Sequence, residues 1–335
     1  MQSHGRQAHR LRQPFERPAL FGDGRRSLET HFYTTFVRNH PKPVHVSTVK
    51  VALSWLRMPE VRRRLVLERL TEPLHLNIAA LFVALFGSTR ARIGFDVLPL
   101  QFHAYGLLSA VELALANGKS AVTAIEFGVA AGRGLLNMAD IAAKLTKETG
   151  VRIDICGFDG GTAMPPPIDE RDHPDLYSTG DFPMDVPLLK RSLPPHVRLL
   201  LGAFSQTIPD FLETHSVDSP IGYVSLDVDY YSSACQALEI FRGLPTHYLP
   251  TTILYADDII DREHNLWCGE LLALEEFNRV DPYRKIDVYR YLRNRRIFKN
   301  AWWIEQMRTV HVLDHPKRRT PRTGAVQLIC NPYLK

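Results

Sequence analysis

The chain has 335 residues, 45% hydrophobic and 23% charged, which is ordinary for a globular protein and excludes wholesale disorder. Its net charge of +5 is uneven: residues 1–70 carry 14 Lys+Arg against 5 Asp+Glu, so the remainder is net acidic. The cysteines Cys156, Cys235, Cys268 and Cys330 make no CxxC pair and no zinc spacing, which argues against a zinc site and points to a reducing, cytoplasmic setting.

The first twenty residues alternate basic and polar types without an apolar run, so no secretory signal is expected. Residues 1–45, rich in Arg, His, Gln and Pro, read as a partly disordered leader or docking arm. Residues 46–71 predict two short helices about Pro59. The Arg62–Arg64 run fits a solvated helix face; it lacks interleaved aromatics, and no nucleic-acid partner is expected. Leu74 to Phe86 predicts another helix, and its apolar run from Leu76 is too short for a transmembrane segment. Residues 95–118 predict a helix that stops at Asn117-Gly118. The expected division is a basic N-terminal arm with a helical extension over 1–94 and a Rossmann-like domain over 95–335.

From Ala121 the pattern alternates between apolar strands and amphipathic helices. Strands are expected at 121–126, 151–159, 197–204, 221–229 and 251–259, with intervening helices and a further helix at 269–280. IDVYR and MRTVHVLDH predict two more strands that close one edge as an antiparallel pair. The fold class is therefore α/β: a doubly wound, mostly parallel sheet with an antiparallel C-terminal edge. A long Pro-, Gly- and Asp-rich stretch at 160–185, carrying Asp172, His173, Asp175, Tyr177 and Asp181, is a candidate lid. In such sheets ligands bind outside the carboxyl ends of the strands.

Glu126, Asp159, Asp227, Asp229, Asp257 and Asp258 all fall near those ends. Glu126-x-Gly128-x-x-x-Gly132 follows the first strand, but Ala130 occupies the second-glycine place of a dinucleotide fingerprint. An acid before the turn repels a diphosphate and suits a cationic group, such as the amino group or sulfonium of S-adenosylmethionine. Gly128 and Gly132 would let backbone approach the ligand; a tight turn without ligand is the alternative. Asp159 suits the two hydroxyls of a ribose, or simply a turn before Gly160-Gly161. Gly202 and Phe204 could flank an adenine ring. Asp227 and Asp229, two apart, point the same way if the strand persists. Asp257 and Asp258 are adjacent, so both can converge only if the chain leaves extended geometry. Acids crowded at neighbouring strand ends call for a hard cation, Mg²⁺ or else Mn²⁺ or Ca²⁺. Otherwise Asp229 or Ser232 caps the next helix and Asp258 is a solvated loop acid.

The stretches IEFGVAAGRG, GFDGGTAMP, LLLGAFSQTIPDF, SLDVDYYSSACQAL, ILYADDI and GELLALEEF, in this order over about 125–277, resemble class I S-adenosylmethionine-dependent methyltransferases of the macrocin O-methyltransferase type. Cephalosporin hydroxylase-like proteins are near relatives of that group. The resemblance implies that Asp227, Asp257 and Asp258 hold the metal and that Asp229 is the catalytic base. It implies further that Glu126, Gly128 and Gly132 contact the methionine end, and Asp159 the ribose. Ala130-Ala131 and Ile259 depart from the family's usual residues without removing a proposed ligand. The expected activity is Mg²⁺-assisted methylation of a hydroxyl on a small molecule of sugar or natural-product type. The alternative is a non-catalytic or regulatory S-adenosylmethionine-binding protein that uses its basic arm for a partner. The acceptor's identity and homo-oligomerisation are left open at this point.

Overall fold

The computed structural model describes residues 68–320. The expectations for the basic arm and for the helices about Pro59 lie outside the described residues. Helices α1 (Leu74–Phe86), α2 (Thr89–Gly94) and α3 (Gln101–Ala116) precede the first strand. There follow β1 (Ala121–Phe127), α4 (Arg133–Thr149), β2 (Arg152–Asp159), α5 (Val186–Ser192), β3 (Val197–Leu201) and α6 (Phe204–Thr214). The chain continues with β4 (Ile221–Leu226), α7 (Tyr231–Leu238), β5 (Tyr248–Ala256), α8 (Gly269–Val280), β6 (Arg284–Val288), α9 (Leu292–Arg295), β7 (Met307–Val312) and α10 (Pro316–Arg319). Among the described residues, no helix is long and apolar enough to cross a membrane.

The strands form one seven-stranded sheet in the order β3-β2-β1-β4-β5-β7-β6. β3, β2, β1, β4 and β5 run parallel, whereas β7 is antiparallel to both β5 and β6. This is the doubly wound sheet with an antiparallel edge that the βα alternation predicts. Every residue of β1 and β4 is buried, as expected of central strands covered on both faces.

Alternation along β1 assigns the two faces. Val122 and Ala124 join a core layer with Leu107 and Val111 of α3 and Leu135 and Met138 of α4. Ile125 and Phe127 join the opposite layer with Phe211 of α6, Ala234 of α7 and Phe277 of α8. Glu126 shares the parity of Val122 and Ala124, so it faces α3 and α4. Helix α4 buries Leu135, Met138, Ala139, Ala142 and Leu145 on one stripe and ends at Gly150, whose φ of 75° is the left-handed cap that glycine suits. Ile93 of α2, upstream of residue 95, is buried in the α3/α4 layer.

Several boundaries differ from the expected ones, each for a local reason. The helix predicted from 95 begins only at Gln101, because Asp96 and Leu100 take positive φ on either side of Pro99. β3 stops at Leu201, before Gly202 at φ 135°, and α6 opens at Phe204. β4 and β5 end at Leu226 and Ala256, so the four aspartates follow the strands, Asp227 and Asp257 still bonded to the neighbouring strand and Asp229 and Asp258 beyond it.

Candidate active site at the carboxyl ends of the strands

On the β1/β2 side, Glu126 is buried against His103 of α3, with Oε1 3.6 Å from Nε2 of the imidazole. Its Oε2 is buried and has no hydrogen-bond partner. Burial raises the Glu126 pKa, and His103 works against that shift. His103 is itself held through Nδ1, 3.1 Å from the Tyr223 hydroxyl. Asp159 spends one lone pair on each oxygen: Oδ2 accepts from the Ala130 N–H at 3.0 Å and Oδ1 from the Gly161 N–H at 2.8 Å. Burial raises its pKa, opposed by those backbone donors. The carboxylate therefore fastens the glycine turn to the end of β2 and keeps lone pairs for further donors.

The two glycines of that turn have work inside the protein. A Cβ on Gly128 would lie 1.6 Å from the carbonyl oxygen of Asp227, and one on Gly132 would lie 2.2 Å from Cδ1 of Leu189 in α5. Both positions therefore require glycine for packing within the protein, against the β4 turn and against Leu189. Gly202 bonds back through its N–H to the carbonyl of Asp159 at 2.9 Å. Phe204 is half-buried, its ring 5.2 Å from that of Phe127 in an edge-to-face contact.

On the β4/β5 side, Asp227, Asp229 and Asp258 each offer a carboxylate oxygen within 4.8 Å of the others. Asp229 reaches this group from a left-handed backbone, φ 60°, and not from a continued strand. This cluster contains Asp229 and not Asp257, whereas the resemblance implies Asp227, Asp257 and Asp258 as ligands. Asp257 keeps the parity of Tyr255, takes the Tyr255 hydroxyl on Oδ1 and lies 3.3 Å from the Gln306 amide nitrogen. Adjacent residues diverge, so Asp258 turns to the other side and joins the cluster. Asp227 is half-buried, and its pKa is raised well above the usual carboxylate range by withdrawal from water and by Asp257, Asp258, Asp229 and Glu270.

Three further groups close around this cluster. Glu270, 0% exposed, accepts from the N–H of Val228 and of Asp258. His264 lies with Nε2 3.7 Å from Asp258 and 3.5 Å from the Tyr177 hydroxyl. The 160–185 stretch folds back over α7: Asp172, 0% exposed, accepts from the Ser232 N–H and hydroxyl and from the Ile168 N–H. Asp172, from outside the helix, thus performs the capping role that the sequence offered to Asp229 or Ser232. Glu270 lies in GELLALEEF, and an acid in the first turn of the helix after two acid turns is the signal that the sequence carries for it. Asp172, His173 and Tyr177 were legible only as candidates of the 160–185 stretch, and nothing local tied His264 to Asp258.

The residues fit both implied groups. A buried carboxylate oxygen without a partner, at Glu126, suits the ammonium of an amino-acid tail. Three converging carboxylates form a hard-oxygen donor set of the kind that takes Mg²⁺, Mn²⁺ or Ca²⁺.

No known protein family matches the chain, and no curated protein matches it. Among solved structures it is similar to the calicheamicin methyltransferase CalS11, at 18% identity over 83% of this chain and 94% of that one, with a TM-score of 0.43. It is also similar to an O-methyltransferase from Bacillus cereus in complex with SAH, at 13% identity over 73% and 94% of the two chains, TM-score 0.33. A third is the cofactor-bound Rv0187 from MTB, at 15% identity over 76% and 96%, TM-score 0.33. The functional reading rests on this chain's own side chains.

Proposed function

We propose that this chain is an S-adenosylmethionine-dependent O-methyltransferase that acts on a hydroxyl of a small molecule with the help of a divalent cation, Mg²⁺ by donor type. The observation that carries the reading is the unpartnered Oε2 of Glu126 at the end of β1, on the same rim as the carboxylates of Asp227, Asp229 and Asp258. One acid suits the cationic tail of the donor, and the cluster suits a cation that orients the acceptor.

In this reading Glu126 binds the donor's ammonium, and the remaining lone pairs of Asp159 receive the ribose hydroxyls. Gly202 and Phe204 flank the adenine. Gly128 and Gly132 contribute by allowing the turn to close on Asp227 and Leu189. Asp227, Asp229 and Asp258 hold the cation, while Asp257 is fixed from behind by Tyr255 and Gln306. When bound, the donor supplies a sulfonium methyl open to displacement, and the cation lowers the pKa of the acceptor hydroxyl. With one oxygen of Asp229 toward the cation, the other would take the hydroxyl proton as the acceptor oxygen bonds the methyl carbon and the methyl–sulfur bond breaks, releasing S-adenosylhomocysteine. The chain's contribution is to orient and deprotonate, because the donor is already activated.

Calorimetry with S-adenosylhomocysteine against NAD tests the donor. Saturable binding of S-adenosylhomocysteine, weakened about 10–100-fold by Glu126→Gln through loss of a charge-assisted hydrogen bond, is expected. Binding of NAD in place of S-adenosylhomocysteine would overturn the reading.

A further inference from the structure

The ladder between β1, β4 and β5 does not stop at the assigned strand ends. The Asp227 N–H still bonds the carbonyl of Phe127 at 3.2 Å, and the Asp257 N–H bonds that of Leu226 at 3.0 Å. One residue later, at Val228 and Asp258, each chain has left its neighbour and the sheet supplies no acceptor. Both of those N–H groups go to one side chain: Val228 donates to Oε1 of Glu270 at 3.1 Å, and Asp258 donates to Oε2 at 3.2 Å.

We propose that Glu270 is a positioning residue for the cation site, tying the turn that carries Asp227 and Asp229 to the turn that carries Asp258. This rests on the reading of those three aspartates as the cation ligands. Three observations support it. Val228 lies between Asp227 and Asp229, so holding its N–H fixes the backbone on both sides. Asp229 sits in a left-handed conformation, φ 60°, which aspartate tolerates, and its carboxylate reaches the cluster only while that turn is kept. Glu270 itself is anchored in the first turn of α8, where backbone N–H groups favour a carboxylate, and α8 is set in the core by Ala273, Leu274 and Phe277.

The geometry asks for two acceptors on one side chain. Glutamine keeps the volume but offers one acceptor and one NH₂ donor, which opposes one of the two N–H groups. Aspartate keeps both acceptors but is a methylene short of the turns. Either change lets the turns move apart, and a support of this kind is worth about 10–100-fold in metal affinity.

The test is Mn²⁺ binding to the full chain, followed by electron paramagnetic resonance, with unfolding by urea as a check on the fold. Glu270→Gln is expected to bind Mn²⁺ about 10–100-fold more weakly than the parent. Glu276→Gln, on the same helix and bonded to the Tyr231 hydroxyl, is expected to stay within twofold. Glu270→Asp serves if Glu270→Gln does not fold. Should neither fold, hydrogen exchange on the metal-free parent decides: slow exchange at both Val228 and Asp258 supports the tie, and fast exchange at either overturns it. A folded Glu270→Gln chain that binds Mn²⁺ within twofold of the parent removes the role of Glu270 alone. A parent that binds no Mn²⁺ removes the cation reading and this proposal with it.

Discussion

Asp96 and Glu270 are both buried acids, yet the groups around them are of opposite kinds. Asp96, 5% exposed, meets the Arg296 guanidinium at 2.6 Å, with Arg69 close by. Arg296 also bonds the carbonyls of Ile93 and Gly94 and lies over the rings of Tyr105 and Trp303, so it ties the segment after α2 to the C-terminal part of the chain. Glu270, 0% exposed, takes backbone N–H groups, and the charges that act on it most strongly are Asp258, Asp257 and Asp229. Burial without charge neutralisation is costly. At Asp96 the protein supplies the opposite charge itself, and the result is architecture. At the ends of β4 and β5 it gathers acids beside one another, which is what favours the proposed cation there.

The sharpest way to break this contrast is at Asp229. Asp229→Asn keeps the size of the side chain and removes its ability to take a proton. Turnover of a hydroxyl acceptor is expected to fall by about 10²–10⁴-fold. Binding of S-adenosylhomocysteine, measured by calorimetry, is expected to match the parent, because Glu126 and Asp159 lie on the other side of the rim. Weakened S-adenosylhomocysteine binding with unchanged turnover per bound complex would reverse the assignment of the two sides.

The two sides were also unequally legible. Glu126 and Asp159 could be placed from sequence because each lies within or at the end of an apolar strand whose period is fixed by burial. The acid pairs were harder. Asp227, Asp229, Asp257 and Asp258 follow the strands, and strand parity stops being a guide where φ turns positive, as it does at Asp229. Which member of Asp257-Asp258 faces the cluster depends on Tyr255 and Gln306, and Gln306 is 49 residues away in the chain from Asp257. The sheet, its parallel run and its antiparallel edge were readable throughout, since they rest on long periodic segments. Asp172 capping α7 and Glu270 bridging two turns are tertiary contacts, and no local pattern encodes them.

The structural member of the contrast is tested at Arg296. Arg296→Met removes the guanidinium and leaves Asp96 buried without it. The expected loss is about 3–5 kcal/mol of unfolding free energy, the usual cost of breaking a buried pair from one side. Urea unfolding measures it. S-adenosylhomocysteine binding to the folded fraction is expected to be unchanged, because no Arg296 contact touches Glu126, Asp159 or the acid cluster. A variant of parental stability would mean that Asp96 is not held by charge.

The smallest expected effect separates the cost of burying Asp96 from the gain of pairing it. Burial raises the Asp96 pKa from 3.8 to about 6, against the pull of Arg296 and Arg69 and with a small contribution from Glu72. Between those two values the folded chain holds a proton that the unfolded chain has released. Stability therefore falls as pH rises from about 4 to about 6, by up to about 3 kcal/mol from this group, and levels off above. Asp96→Asn keeps a carbonyl oxygen for Arg296, tolerates the positive φ at this position, and does not titrate. Its unfolding free energy is expected to change less than the parent's across that window, and the difference between the two curves isolates Asp96 from every other titrating group. Superimposable curves would show that Arg296 compensates burial in full. The contrast with Glu270 would then be sharper still, between one buried acid fully neutralised by the protein and another set among further acids.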